Sequence, residues 1–246
     1  MDWSDDGIVL GLRPFGENAA ILETLTRAHG RHLGLVRGAS SKRLKGALEL
    51  GNVVKVHWRA RLDEQLGTYA VELAAARAAQ FFDDGLKLAG LAAACAVCVA
   101  SLPERELHAR VFEAFDRLLR RMAEKTSPEW IEDYVRFEVG LLEDLGFGLD
   151  LGSCAATGAR ENLTHVSPKS GRAVSAAAAE PYRDRMLRLP RFLTPEDGPA
   201  STQDLVDGLA LTAFFLERTA LEPHGAALPG ARVRLSERLA AKRGWG

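Results

Sequence analysis

The sequence predicts an α+β protein with two domains, a small five-stranded β-barrel followed by an α-helical bundle. Short apolar or alternating segments, broken by Gly, Pro or Asn, occupy most of the first 78 residues. After residue 78 the spacing of apolar residues changes from about 2, the period of a strand, to about 3.6, the period of a helix. With 246 residues and 47% hydrophobic content, the chain can bury two cores. We therefore predict a barrel domain over residues 1–78 and a helical domain over residues 79–246, with an irregular insertion at about 148–176.

Five segments carry the strand pattern, and they are residues 7–13, 19–26, 31–38, 52–62 and 67–74. The fourth strand alternates most clearly, so one of its faces should be buried and the other should be cationic. The buried face consists of Val54, Val56 and Trp58, and the cationic face of Lys55, His57 and Arg59. Five short strands of this kind are typical of the OB-fold, a small closed barrel.

Helical periodicity marks the second domain. The uncharged segment 88–102 is shorter than the roughly 20 residues that cross a bilayer, so we predict a buried helix there. A further helix is predicted to begin with Ser127 as its cap and Pro128 in its first turn. The predicted apolar stripes are Leu107, Val111, Phe115, Leu118 and Met122; Trp130, Tyr134, Phe137, Leu141 and Leu145; and Leu205, Leu209, Thr212, Leu216 and Ala220, with a last short helix at 232–240.

Charge is unevenly distributed along the chain. The formal net charge is −1, so the total does not require a polyanionic partner or a membrane surface. Residues 30–61 nevertheless contain eight Lys or Arg side chains and one acid, a local net charge of +7. A barrel could gather most of these cations around one groove, and they are Arg37, Lys42, Arg43, Lys45, Lys55, Arg59 and Arg61. Such a groove would follow a sugar-phosphate backbone, whereas an ordinary basic surface attached to the acidic remainder would account for the same charges.

No catalytic or metal-binding motif stands out. Cys95 and Cys98 have C-x-x-C spacing, but they lie in an Ala-rich apolar segment with no second pair, which indicates buried and inert cysteines. The six histidines are isolated, and neither a nucleophile elbow nor a phosphate-binding Gly motif occurs. We therefore expect a protein without catalytic residues, cofactor or metal. A metal-dependent nuclease using Asp and Glu clusters, and a helical adaptor protein whose cations are incidental, are the alternatives.

The start of the sequence and its cysteine content indicate a compartment. Acids at Asp2, Asp5 and Asp6 precede the first apolar run, so the basic and apolar regions of a secretory signal are lacking. Three cysteines in a chain of this length argue against a disulfide framework and agree with a reducing environment. We expect a cytoplasmic protein that does not enter a membrane.

Residues 7–41, GIVLGLRPFGENAAILETLTRAHGRHLGLVRGASS, resemble a known family. They are similar to the opening of RecO, a family of bacterial DNA repair proteins that act as recombination mediators. The similarity rests on the spacing of Arg13, Phe15, Gly16, Glu17, Leu22, Leu25, Thr26, Gly30, Gly38 and Ala39. Further segments, among them YVRFEVGLLEDLGFGLDLGSCAATG and LERTALEPHGAALPGARVRL, look like the helical half of that family.

This resemblance implies an N-terminal OB-fold and a C-terminal helical domain. It also implies binding of single- and double-stranded DNA, annealing of complementary strands and, together with RecR, loading of the RecA recombinase onto strands covered by single-strand DNA-binding protein. The DNA-contacting cations of the family correspond here to Arg37, Lys42, Arg43 and Lys45. We add Arg59 and Arg61 as their neighbours from the strand pattern. A chain that is monomeric alone and associates with the bacterial nucleoid is expected.

One departure concerns zinc. Many members of the family carry a four-cysteine zinc site after the segment GLDL. Here Cys154 is followed at C-x-x-C spacing by Thr157, and the distal pair is replaced near Ser175 and Ala178. One thiolate cannot hold a structural zinc ion, so we predict a metal-free loop held by turn chemistry and local packing.

Two expectations concern how the barrel would hold a strand. The Ser-rich segment 38–48 is predicted to be a flexible loop that clamps backbone phosphate. Phe15, Trp58 and Tyr69 are the aromatic side chains of the barrel that could stack on bases, but we expect all three in the core. The prediction is therefore a binding mode led by the backbone, with little sequence preference.

Overall fold

The computed structural model describes residues 1–194 and 200–242. The chain forms two compact units, Met1–Ala123 and Glu124–Gly246. The first unit contains the strands predicted for the barrel and also the helical segments that follow them. The division between compact units thus lies later in the chain than the change of apolar period at residue 78. Within the described ranges, no helix has both the length and the apolar character needed to cross a membrane.

Five strands of the first unit close into a barrel. They are β1 (Asp2–Phe15), β2 (Ala19–Thr26), β3 (Gly30–Arg37), β4 (Val53–Arg59) and β5 (Thr68–Ala75). Their order is β1-β2-β3-β5-β4, and β4 pairs back with β1. All pairs are antiparallel except the short parallel contact of β3 with β5. A closed five-stranded barrel of this kind is an OB-fold, which confirms the predicted fold class.

Alternation along β4 fills the barrel. The three side chains predicted to face inward are at most 1% exposed, and the three polar ones between them are exposed. Trp58, the largest inward side chain, donates its Nε1–H to the carbonyl of Leu66 at 3.0 Å, so its polar group is satisfied in the core. Tyr69 is also buried, as predicted. The core therefore fixes which side chains of β4 point outward.

Two features of β1 differ from the prediction. The strand begins at Asp2 rather than Gly7, because its first residues pair with β4 from Asp2 opposite Arg59 onward. Apart from Trp3, which packs against the barrel core, these residues lack the apolar character on which a strand prediction relies, and backbone pairing with β4 holds them. At the other end of the strand, Phe15 is 54% exposed and is not a core residue.

The cationic segment between β3 and β4 is not the flexible loop that its composition predicted. It contains the short helix α1 (Lys42–Ala47). Ala47 is buried, and Leu44 packs against the barrel core. Asn52 donates its side-chain N–H to the carbonyl of Gly46 at 2.8 Å, which holds the end of the helix. These anchors explain why the segment is ordered.

Helix α2 (Gly85–Ser101) is the buried helix predicted from the long uncharged segment. Its N-cap is Asp84, whose carboxylate accepts hydrogen bonds from two backbone N–H groups of the first turn. Cys95 and Cys98 are at most 2% exposed, and the Cys95 sulfur lies 3.7 Å from the carbonyl of Val9. Burial raises the pKa of the Cys95 thiol to about 12, as expected for an inert cysteine.

Helix α3 (Ala109–Glu124) buries the predicted stripe from Val111 to Met122. Its charged residues fall mostly on the other face, which is the pattern of a helix that packs on one side. Leu107, predicted as the first residue of the stripe, precedes the helix and is 59% exposed.

The second unit combines helices with a small sheet. The helices are α4 (Ile131–Asp144), α5 (Ala176–Ala179), α6 (Thr202–Phe215) and α7 (Gly230–Lys242), and the strands are β6 (Leu163–Val166), β7 (Ala173–Ser175) and β8 (Leu187–Arg188) in the order β7-β6-β8. Helix α4 begins later than the predicted cap at Ser127. The Ser127 hydroxyl instead accepts a hydrogen bond from the Trp130 indole at 2.8 Å.

The predicted insertion at about 148–176 contains β6 and β7 and a buried sulfur. Cys154 is 1% exposed and accepts a hydrogen bond from the backbone N–H of Ser175 at 3.3 Å. Burial alone would raise the pKa of Cys154, but hydrogen bonds from Ser175 and Thr157 outweigh it and lower this pKa to about 6. Thr157 and Ser175, which carry hydroxyls, thus stand at or near two positions that hold zinc-binding cysteines in many members of the family. These residues do not fit a structural zinc ion, which needs four ligands.

Candidate nucleic-acid interface

An open groove of about 860 Å³ lies on the surface of the barrel. It is lined by residues of β3, α1, β4 and β5 and by Ser4 of β1. Its basic lining consists of Arg37, Arg43, Lys55 and Arg59, with His57 between the last two. Cations from three separate parts of the sequence therefore meet at one surface.

Strand β4 supplies a row of polar side chains to this groove. Successive side chains of a strand point to opposite faces, so Lys55, His57 and Arg59 share the outer face while the residues between them fill the barrel. Strand β5 lies beside them, with Glu72 opposite Lys55 and Thr68 opposite Arg59. The positions of these side chains follow from the packing of the core.

Arg37 at the end of β3 and Arg43 in α1 complete the basic lining. Leu44 also lines the groove, and its packing on the barrel core holds α1 against the barrel. Lys42 and Lys45 are exposed on the same short helix, beside the lining residues. No acid lies in the first turn of α1, and cations there oppose the helix dipole by roughly 0.3–1 kcal/mol each. Helix stability therefore does not account for Lys42 and Arg43, whereas Lys45 lies in the last turn, where a cation is favoured.

The six predicted site residues are thus divided among three places. Arg37, Arg43 and Arg59 line the groove, and Lys42 and Lys45 lie next to it on α1. Arg61 is exposed in the turn after β4 and is not part of the lining.

The seven cations of this region lack carboxylate partners. None forms an ion pair within 4.0 Å in the part of the chain that the structure describes, and they are Arg37, Lys42, Arg43, Lys45, Lys55, Arg59 and Arg61. Two arginines elsewhere in the first unit differ, since Arg27 pairs with Glu113 and Arg31 with Glu23. The groove therefore presents charges that can be neutralised by an external anion.

Acids nevertheless flank the row of cations on β4. Asp2 and Asp6 of β1 stand opposite Arg59 and Lys55, and Glu72 of β5 stands opposite Lys55. They are too distant for ion pairs with these cations, but at such range they still lower the positive potential. The groove is therefore cationic without being uniformly so.

Lys55 is one of the cations expected around a groove but is not among the six predicted site residues, and His57 is in neither set. The Ser4 hydroxyl lies 2.9 Å from Nδ1 of His57, and a carboxylate oxygen of Asp2 lies 3.9 Å from its Nε2. The His57 side chain is 47% exposed in the groove. The alternation of β4 in the sequence already places both residues on its outer face. This pattern was enough to include them among the predicted site residues.

The arrangement can bind anions, and it offers no metal centre. In residues 1–194 and 200–242, no three side chains of His, Cys, Asp or Glu are placed to hold a metal ion together. Apart from the carboxylate of Glu72, the groove offers positive charge and N–H donors, which suit phosphate oxygens.

The fold and the groove define an OB-fold protein with a basic surface groove. Family sequence models match both parts of the chain, Recombination protein O N terminal over residues 1–77 and Recombination protein O C terminal over residues 83–226. The chain therefore belongs to the recombination protein O family, which confirms the resemblance seen in the sequence.

Relatives named DNA repair protein RecO are similar over nearly the whole chain. The protein of Rhodospirillum centenum is 51% identical over 240 residues, which cover 97% of this chain and 94% of the relative. That of Rhodospirillum rubrum is 48% identical over 243 residues, covering 97% and 96%. That of Nitrobacter hamburgensis is 49% identical over 236 residues, covering 95% and 92%.

Proposed function

We propose that this chain acts in DNA repair as a recombination mediator that binds single- and double-stranded DNA in the basic groove. Binding there promotes the annealing of complementary strands. Together with RecR, the chain helps to load the RecA recombinase onto single strands covered by single-strand DNA-binding protein. It acts in the bacterial cytoplasm at the nucleoid, is monomeric alone, and uses no catalytic residue of its own.

The observation that carries this proposal is the set of unpaired cations around the groove. A DNA backbone presents a regular row of phosphates, and each phosphate that meets a Lys or Arg releases condensed counterions. Arg37, Arg43 and Arg59 meet this requirement from three different elements, so a strand in the groove contacts several of them at once. Such binding depends on the backbone and is largely independent of sequence.

Annealing follows from the same electrostatics. Two complementary strands repel each other, and a cationic surface between them lowers that repulsion while base pairing selects the partner. Glu72 in the lining of the groove and the acids Asp2 and Asp6 beside it limit its affinity. A strand that is held weakly can leave as a duplex, which annealing requires. No ATP or other fuel enters this mechanism.

A salt titration tests the groove directly. The affinity for a fluorescent single strand is measured by anisotropy over a series of salt concentrations. For single strands, the logarithm of affinity falls by about 0.7 per phosphate contact for each unit of log salt concentration. We expect the combined variant R37A/R43A/R59A to reduce the size of this slope by about 2, which is about 0.7 for each of three contacts.

The matched control is R160A/K169A/R185A, which removes the same charge from exposed positions of the second unit. It should leave the slope near that of the wild type, because these cations are not in the groove. Equal slopes for the wild type and R37A/R43A/R59A would place the DNA elsewhere. Annealing of complementary strands, bare and coated with single-strand DNA-binding protein, is then compared for the three proteins, and only the groove variant should be slow.

A further inference from the structure

A second cavity of the first unit has a different chemistry from the groove. Its volume is about 450 Å³, within the range of roughly 300–1,000 Å³ that is typical of sites for small ligands. Aromatic and imidazole rings dominate its lining, with one carboxylate and one guanidinium at its edge. The lining residues that matter here are Trp3, His29, His32, Trp58, Asp63 and Arg105.

The rings of this cavity form a stacked set. Trp3 and His29 lie nearly parallel, with an interplanar angle of 7° and ring centroids 3.9 Å apart. Trp3 also stacks with Trp58 at 5.6 Å and 22°. A carboxylate oxygen of Asp5 lies 3.1 Å from Nδ1 of His29 and orients this ring. Trp3 and Trp58 are thus covered by other rings, whereas the His29 side chain is 35% exposed, so a further flat ring that enters the cavity can stack on His29.

His32 offers a hydrogen-bonding edge to the same cavity. Its Nδ1 lies 3.0 Å from the hydroxyl of Tyr69. Burial, with a smaller effect from the charge of Arg105, lowers the pKa of His32 to about 4, so the ring is neutral at neutral pH. A neutral imidazole can meet either a donor or an acceptor, according to its tautomer.

The edge of the cavity argues against a phosphate ligand. Arg105 donates one N–H to the backbone carbonyl of Asp63 and another to that of Gln65 at 2.8 Å, and a carboxylate oxygen of Glu104 lies 3.4 Å from its Nε, so its charge already has an anionic partner. The carboxylate of Asp63 has no cationic partner within 4.0 Å in residues 1–194 and 200–242. A free carboxylate repels an anion, but it accepts hydrogen bonds from the amino or imino groups of a base.

We propose that this cavity binds one unstacked nucleobase of a single strand whose backbone lies in the groove. A base is flat, aromatic and uncharged, and it carries donors and acceptors at its edge, which matches the stacked rings, His32 and Asp63. The two sites share one core residue, because Tyr69 is part of the groove lining and its buried hydroxyl lies 3.0 Å from Nδ1 of His32. This inference rests on the proposed function and adds a preference for strands that carry bases.

The test compares two strands of about 12 nucleotides, an oligothymidylate and an abasic strand with the same number of phosphates. Stacking on a protein ring changes affinity by about 5- to 150-fold per base, so we expect the wild type to prefer oligothymidylate by about tenfold. His29→Ala should lower this ratio of affinities by at least about threefold. His29→Phe, which keeps a ring, should retain it, and the exposed His224→Ala is the matched control outside the cavity.

Each outcome bears on the inference. Equal affinity of the wild type for both strands, with salt dependence intact, would overturn the base site and leave the proposed function standing. An unchanged preference in folded His29→Ala would do the same. If that variant does not fold, the tryptophan emission of the wild type decides, since only the strand with bases should quench it and no quenching refutes the inference. Failure to bind either strand would refute the proposed function, and the base site with it.

Discussion

Replacing the buried Arg232 should lower the unfolding free energy of the second unit more than replacing an exposed residue there. This guanidinium is 0% exposed and lies against Glu138, which is also 0% exposed. Its Nε donates to one carboxylate oxygen at 2.6 Å and an Nη donates to the other at 2.9 Å. A further N–H donates to the carbonyl of Leu209 at 2.8 Å, and another to the hydroxyl of Ser236 at 2.6 Å. The pair therefore ties α4, α6 and α7 together.

The expected loss follows from what Arg232→Met leaves behind. Burial alone would lower the pKa of Arg232, but the charge of Glu138 outweighs it and raises this pKa above its usual range. In the variant, the Glu138 carboxylate stays buried without its cation. Breaking a buried pair in this way costs about 3–5 kcal/mol of unfolding free energy. The double variant E138M/R232M removes both charges and should be more stable than R232M, because apolar replacement of a whole buried pair is often close to neutral.

Urea unfolding followed by far-UV circular dichroism measures these differences. The two compact units can unfold separately, so the transition is assigned to the second unit by comparing wild type and variants. Arg234→Met, an exposed substitution in the same helix, is the control and should change stability by less than about 0.5 kcal/mol. A loss below about 1 kcal/mol in R232M, or a double variant weaker than the single one, would refute the reasoning.

Two further predictions concern the barrel. Because burial and, secondarily, Arg105 lower the pKa of His32 from 6.5 to about 4, the unfolded state binds a proton in this window and the folded state does not. Barrel stability should therefore fall with decreasing pH by up to about 1.4 kcal/mol per pH unit between these values, and thermal unfolding of His32→Asn should lack this component. Gly30→Ala should destabilise the barrel by more than about 2 kcal/mol in urea unfolding, because φ is +65° and a Cβ would lie 1.7 Å from the Glu106 carbonyl oxygen. Gly46→Ala in α1, where a Cβ would meet no heavy atom within 4 Å beyond its chain neighbours and the backbone of its own helix, should instead stabilise by about 0.5–1 kcal/mol. Equal effects of the two substitutions would contradict the geometry.

The barrel could be predicted because alternation reports burial directly. The predicted second strand, 19–26, matches β2 residue for residue, and the faces of β4 are as expected. The start of β1 could not be predicted, since Asp2 to Asp6 are held by pairing with a strand some 50 residues later. Helix α1 was not predicted, for a similar reason. Its order depends on Leu44 meeting the barrel core, which is a contact between distant parts of the sequence.

The site could be predicted only in part, because periodicity says which face a residue occupies but not which faces meet. Composition singled out the cations, and the fold decided that Arg37, Arg43 and Arg59 share a groove while Arg61 lies outside it. The pair of Glu138 and Arg232 carries no local signal at all, since its members are 94 residues apart.

The groove and the aromatic cavity should respond differently to salt, and this separates their roles. Phosphate contacts weaken as salt rises because each released counterion gains less entropy when the bulk salt concentration is higher, whereas stacking of a base on His29 involves no counterion. Affinity for every strand should therefore fall with salt, while the ratio between strands with and without bases stays nearly constant. A surface of this kind holds strands through the backbone, so it accepts any sequence. The one unstacked base in the cavity would distinguish a single strand from a duplex, whose bases are paired and stacked and cannot enter.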